Sequence, residues 1–148
     1  MTPRDSLECA LTSLIKSGIV DNIPVMPGKN SQDKPPTPGV TCRVNCAAEE
    51  EPIYSGNWWM DAEVEFRSDA GTFDTDPLPW QIVAARHVFD LVLDPNLAAN
   101  LNAQGQDLTV FEGGIVRGAH NLTFDSEQPI WIEKLPLRIY CCGTVLQP

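Results

Sequence analysis

At 148 residues the chain has the length of one domain, and its 43% hydrophobic and 20% charged residues suit a globular protein that buries a core without needing a staple. Ten basic against twenty acidic residues leave a net charge of −10 and a pI near 4.4. That excludes the basic footprint by which nucleic-acid binders hold phosphate, and no apolar run reaches the roughly 18 residues of a membrane-spanning helix.

In chain order, the opening MTPRDSLECALTSLIKSG lacks the apolar centre of a signal peptide, so a protein made and kept in a cytoplasm is expected. It predicts a first helix, with Asp5 as cap, Glu8 completing a capping box, Leu7, Ala10, Leu11, Leu14 and Ile15 as the buried stripe, and Gly18 as the stop. Residues 23–26 form a short strand at most, because Pro24 favours an edge. The Pro-rich stretch 27–39, with Lys29 and Lys34, is a loop or an arm that orders on a neighbouring subunit.

Residues 40–48 and 57–68 read as two strands paired antiparallel across EEEPIYSG. The second has unlike faces: Trp58, Met60, Ala62, Val64 and Phe66 point to a core, while Trp59, Asp61, Glu63, Glu65 and Arg67 point away. A second helix is predicted with Asp76 as cap ahead of Pro77 and Ile82, Ala85, Phe89, Val92 and Leu93 as its stripe, interrupted at Pro95. A short helix with Leu97 and Leu101 inward stops at Gly105. From 108 a strand carries Gly113-Gly114 as a bulge or break, residues 119–128 read as turn, and the last strand puts Trp131, Leu135, Leu137, Ile139 and Cys141 on one face. Pro136 within it indicates an edge position or a bulge. These elements predict a single α+β domain over 1–148, a mostly antiparallel four- to five-stranded sheet with helices packed on one face.

Chemistry is sparse. Five cysteines without a secretion signal read as reduced core thiols, and Cys42 and Cys46, about 13 Å apart on one strand at ~3.3 Å per residue, are too far apart to ligate one zinc ion. The vicinal Cys141 and Cys142 point to opposite faces. His87 and His120 have no ligand partner at helical spacing and belong to no metal motif. Asp61, Glu63 and Glu65 stand about 6.6 Å apart, compatible with a glycosidase-like acid and base, but nothing apolar is placed to raise one pKa above the others. Glu49 to Glu51, Asp69, Asp74 and Asp76 lack the spacing of a calcium loop and read as solvated. No catalytic residue, cofactor or metal ligand is expected.

The order of features resembles the tail-terminator, or tail-completion, proteins of long-tailed bacteriophages and related prophages. The residues concerned are the helix LECALTSLIKSG, the Pro-rich loop before a strand, a strand ending VEFRS, the helix IVAARHVFDLVLD, the small helix LAANLNAQG and the late strand IWIEKLPLRIYCC. The resemblance covers most of the chain and implies a non-enzymatic virion protein. Such a protein forms a homo-oligomeric ring, typically a hexamer, that caps the tail-tube protein and meets a head-completion or connector protein. DNA passes the lumen without specific binding, and no membrane is involved. Surface reasoning places Lys29, Lys34, Trp59 and Arg117 at a subunit or tail/neck interface, and Glu49, Glu50, Glu51, Asp61, Glu63 and Glu65 at the lumen or a subunit boundary. The alternatives are another head–tail joining or minor tail protein, or a small cytoplasmic enzyme or metal-binding protein.

Overall fold

The computed structural model describes residues 2–28, 36–70 and 77–143, apart from the side chain of Cys46. Lys29 and Lys34, most of the Pro-rich loop, Asp74 and Asp76 lie outside the described residues. The order is α1 (Pro3–Gly18), β1 (Val25–Pro27), β2 (Gly39–Glu50), β3 (Asn57–Asp69), α2 (Pro79–Leu93), α3 (Leu97–Asn102), β4 (Thr109–Arg117), β5 (Asn121–Asp125) and β6 (Ile130–Cys142). The fold is α+β, as expected. The sheet has six strands among the described residues, more than the four or five expected, in the order β1-β2-β3-β6-β4, with β5 also on β6. Every pairing is antiparallel except β1 with β2.

The three helices share one face. Against it the alternating residues of the central strands form the core: Val40, Cys42 and Val44 of β2, Met60, Ala62, Val64 and Phe66 of β3, and Leu135, Leu137, Ile139 and Cys141 of β6. Leu7, Leu11 and Ile15 of α1 and Leu97 and Leu101 of α3 meet them, as their helical spacing predicts. The α2 stripe is rotated from the prediction. Gln81, Ala84, Ala85, Val88, Phe89 and Val92 are buried, while Ile82 and Leu93 stand exposed. The cap differs too: α2 begins at Pro79 behind Leu78.

Two helix residues have structural roles other than those predicted. Thr2, not Asp5, caps α1, accepting from the Asp5 N–H at 3.2 Å. Glu8 is fully buried and turned away from its own helix end. Its carboxylate accepts the Val44 N–H at 2.9 Å, while Arg4, 3.5 Å from the same oxygen, donates to the Val44 carbonyl at 2.8 Å. The pair therefore satisfies the β2 edge just beyond the end of β1, which reaches only Cys42. On β4, Asn102 does the same with one side chain, accepting the Val110 N–H at 2.7 Å and donating to the Val110 carbonyl at 3.0 Å. Each device closes a strand edge that would otherwise be open to pairing.

The remaining differences lie along β6. Residues 121–125, expected as turn, are β5 and pair with 130–134. Pro136 is not in an edge strand: β6 lies between β3 and the β4/β5 pair. The Pro136 carbonyl accepts from the Gly118 N–H at 2.8 Å, so its missing donor faces the seam where β4 ends and β5 has not begun, and β3 loses no bond. Glycine is required opposite, since a Cβ on Gly118 would meet the proline ring at 2.6 Å. The predicted bulge in β4 is present, with the register shifting between Val110 and Ile115 and Gly113 at φ +77°. A second shift in β2, between Val44 and Ala48, has no glycine to announce it.

Burial pushes the Cys42 thiol up to about 12; the Thr12 hydroxyl opposes the shift and Glu8 adds to it. Burial likewise pushes Cys141 up to about 12, with Cys142 adding to it. The folded chain therefore holds two protons that unfolded thiols, with an ordinary value of 9.0, release sooner. Stability fully present below about pH 9 is lost as pH climbs toward about 12. Urea unfolding in an alkaline series should show this decline, and alkylation at mildly basic pH should label Cys9 and Cys142 before Cys42 and Cys141. Removing an edge closure should cost more than a surface change: Glu8→Ala about 3 kcal/mol and Asn102→Ala about 2 kcal/mol, read as lowered urea midpoints with intact far-ultraviolet dichroism.

Candidate interaction surface on the outer face of the sheet

The face of β3 and β6 turned away from the helices carries the residues whose outward placement is predicted above. Register sets their neighbours: Trp59 lies opposite Tyr140, Asp61 opposite Arg138, Glu63 opposite Pro136 and Glu65 opposite Lys134 on β6, while Glu49 lies opposite Trp59 on β2. At the end nearest the β2–β3 turn is a row of three half-buried aromatic rings. Tyr140 is central, 4.8 Å from Trp59 and 5.1 Å from Phe111 between ring centroids.

Beside this row Arg138 sits 5.4 Å from the Trp59 ring centroid. It donates to Glu49 at 2.7 Å and lies 3.5 Å from Asp61. Further along, Lys134 is 3.9 Å from both Glu63 and Glu65, and Arg67 is 3.3 Å from Glu65. The acidic wall expected from β3 alone is therefore largely neutralised, because β6 brings cations into register against it. Glu65 also departs from the expectation of an open carboxylate, being only 5% exposed. Between the ion pairs, above the β2 bulge, lies a concavity of about 310 Å³ with Asn45, Asp61, Glu63, Pro136 and Arg138 in its walls.

The other predicted residues are placed as follows. Glu49 and Glu50 belong to the end of β2, not to a loop. Glu50 organises the turn, accepting the Tyr54 N–H at 2.8 Å and the Gly56 N–H at 3.1 Å. The backbone carbonyl of Glu51 accepts from the Tyr140 hydroxyl. Arg117 has an internal role: it donates to the Val92 carbonyl at 3.0 Å and the Asp94 carbonyl at 2.8 Å, capping the C-terminal end of α2 where cations are favoured. Its guanidinium thus ties β4 to the end of α2.

Lys134, Arg138, Tyr140 and Phe111 are the surface residues that β3-centred reasoning missed. For Lys134, Arg138 and Tyr140 the signal is the even-numbered alternation in the last strand, legible once β6 is known to lie beside β3; Phe111 is placed by the pairing of β4 with β6. His87 contacts Asp21 at 2.7 Å, and His120 contacts Glu133 at 3.0 Å with its ring edge-on to Phe89. Among the described residues no group of three or more histidines, cysteines or acids is arranged to hold a metal ion, and no described helix is long and apolar enough to cross a membrane. No family model matches the chain, and no curated protein matches it.

The ion pairs differ in burial and hence in weight. Arg138 and its partners are largely exposed, so Arg138→Ala should cost about 1 kcal/mol or less. Glu65 is enclosed between Arg67 and Lys134, and Glu65→Ala should cost about 2 to 3 kcal/mol. Paired urea titrations check the order, which should not reverse.

Proposed function

We propose that the protein is a structural component of a phage tail, of the tail-terminator kind: a homo-oligomeric ring, of six copies as the resemblance of its sequence implies, that caps the tail tube and meets a head-completion or connector protein. The observation that supports this most is the outer sheet face. It offers a platform on three strands, uncovered by any helix among the described residues, with Trp59, Tyr140 and Phe111 as aromatic anchors and charges largely balanced within the face. Aromatic and arginine side chains on a rigid support, with few unpaired charges, are the composition of a protein-binding patch.

The balance of charge also refines which surface does what. A lumen past which DNA slides needs uncompensated negative potential, and Asp61, Glu63 and Glu65 are compensated. The face is therefore assigned to contact with the tube or the neck, and the chain's net charge of −10, carried mostly outside this face, keeps DNA from adhering elsewhere. In this reading the concavity between Asp61 and Arg138 receives a side chain of the partner and houses no reaction. Assembly takes place in the host cytoplasm, and the mature site is the tail or neck of the virion.

The decisive experiment combines the purified protein with the tail-tube protein encoded by the same genome during tube polymerisation. Uniform tubes with this chain at one end, and overlong tubes in its absence, are expected. Trp59→Ala combined with Tyr140→Ala should weaken capping at least tenfold while the protein stays folded. Tube lengths indifferent to the protein would falsify the terminator role; binding to the connector without an effect on length would move it to another head–tail joining position.

A further inference from the structure

The outer face of the sheet repeats one arrangement along β3 and β6 and interrupts it once. Register sets Asp61 opposite Arg138 and Glu65 opposite Lys134, so each of these acids has a cation across from it. Between them Glu63 lies opposite Pro136, and a proline stands where the alternation calls for a third cation. Among the described residues Lys134 is the one cation paired with Glu63, at 3.9 Å, and it lies at the same distance from Glu65. Arg43, opposite Glu63 on β2, lies along Gly28 instead.

The missing side chain leaves space as well as unanswered charge. Pro136 and Gly118 form a low floor beneath the concavity of about 310 Å³. Asp61 and Glu63 of β3 stand on one side of it and Val116 of β4, 53% exposed, on the other. Arg138 closes one end, but it reaches across β3 to Glu49 at 2.7 Å, nearer than Asp61 at 3.5 Å. The hollow therefore holds two acids and one base, and the base is the better paired.

Three kinds of side chain fit such a space, and the charges choose among them. An acid would face Asp61 and Glu63 and find Arg138 already engaged. An apolar side chain would cover Glu63 without supplying a partner, and taking a carboxylate out of water in that way is costly. A lysine or arginine lays its methylenes on Pro136 and Val116 and brings its cation to the two carboxylates.

We infer that the hollow over Pro136 receives a lysine or arginine of the protein that docks on this face, supplying the cation that the register of β6 omits. The inference rests on the docking role assigned to the face above and names the chemistry of the contact: the tube or neck surface that meets it presents a basic side chain there.

Two measurements test it. The first needs no partner protein. In nuclear magnetic resonance titrations, N-acetyl-arginine methylamide and N-acetyl-lysine methylamide should shift the amide signals of Glu63, Val116 and Gly118 at least threefold more than the apolar mimic N-acetyl-norleucine methylamide at equal concentration. Asp61→Asn with Glu63→Gln should abolish that preference. Equal shifts from all three, or none from the basic two, overturn the inference. The second uses the tail-tube and connector proteins encoded by the same genome. Binding to whichever of them docks should weaken at least tenfold for Asp61→Asn with Glu63→Gln, with circular dichroism unchanged. It should weaken no more than twofold for Asp107→Asn with Glu127→Gln, which removes the same charge outside this face. Undiminished binding by the first variant, or equal loss by both, overturns the basic contact and leaves the docking role standing. A hollow that selects the basic probes in a protein that binds neither the tube nor the connector overturns the docking role alone.

Discussion

The interaction on which the rest of this fold depends is the closure of β2 by α1, in which the buried Glu8 and its neighbour Arg4 take the N–H and carbonyl of Val44. A three-residue β1 leaves most of the β2 edge unpaired, and a backbone pair sealed under a helix without partners costs several kcal/mol. Two side chains one helical turn apart supply what another strand would have supplied. They also fix α1 in rotation and height, and with it the row Leu7, Leu11 and Ile15 that covers the sheet. The β2 register shifts immediately after Val44, so the strand is pinned just before it bends toward its turn.

The same solution recurs around the helical layer. Asn102 closes β4 at Val110, Gln81 accepts the Asp69 N–H at the end of β3, and Arg117 caps α2. Polar groups at the rim of the sheet are thus satisfied by side chains of the helices or by side chains that return to them. Because these contacts gather on one side, the helices have no need to wrap around, and no described helix covers the opposite face of β3 and β6. The openness of the candidate surface and the closure of the edges are two results of one arrangement.

How much of this was legible in the sequence follows from what each pattern measures. The two faces of β3 were readable because a period of two reports burial on one side directly, and Met60, Ala62, Val64 and Phe66 are buried as that period requires. The stripes of α1 and α3 were readable for the same reason. The role of Glu8 was not: its spacing from the helix start fits a capping box equally well, and its partner lies 36 residues away. Neither was the rotation of α2, where Ile, Val, Ala and Phe supply apolar candidates on several sides and tertiary packing selects among them. The outer face was half legible. The acids of β3 stand in one row, but apart from Arg67 their cations stand on β6, more than 60 positions downstream, and the pairing of β3 with β6 largely neutralises a row of like charges.

The seam at Pro136 has a consequence for how this protein can change. β4 and β5 both take their register from β6, but between them the proline offers no donor and Gly118 allows the only close approach. The two strands are therefore indexed independently. Lengthening or shortening the connection at 118–120 would leave the alignment of Ile115 with Ile139 and of Asn121 with Lys134 untouched. The edge formed by β5, beside α2, can thus be varied by insertion without moving the central strands, giving this surface evolutionary freedom that the tightly registered face of β3 and β6 does not have.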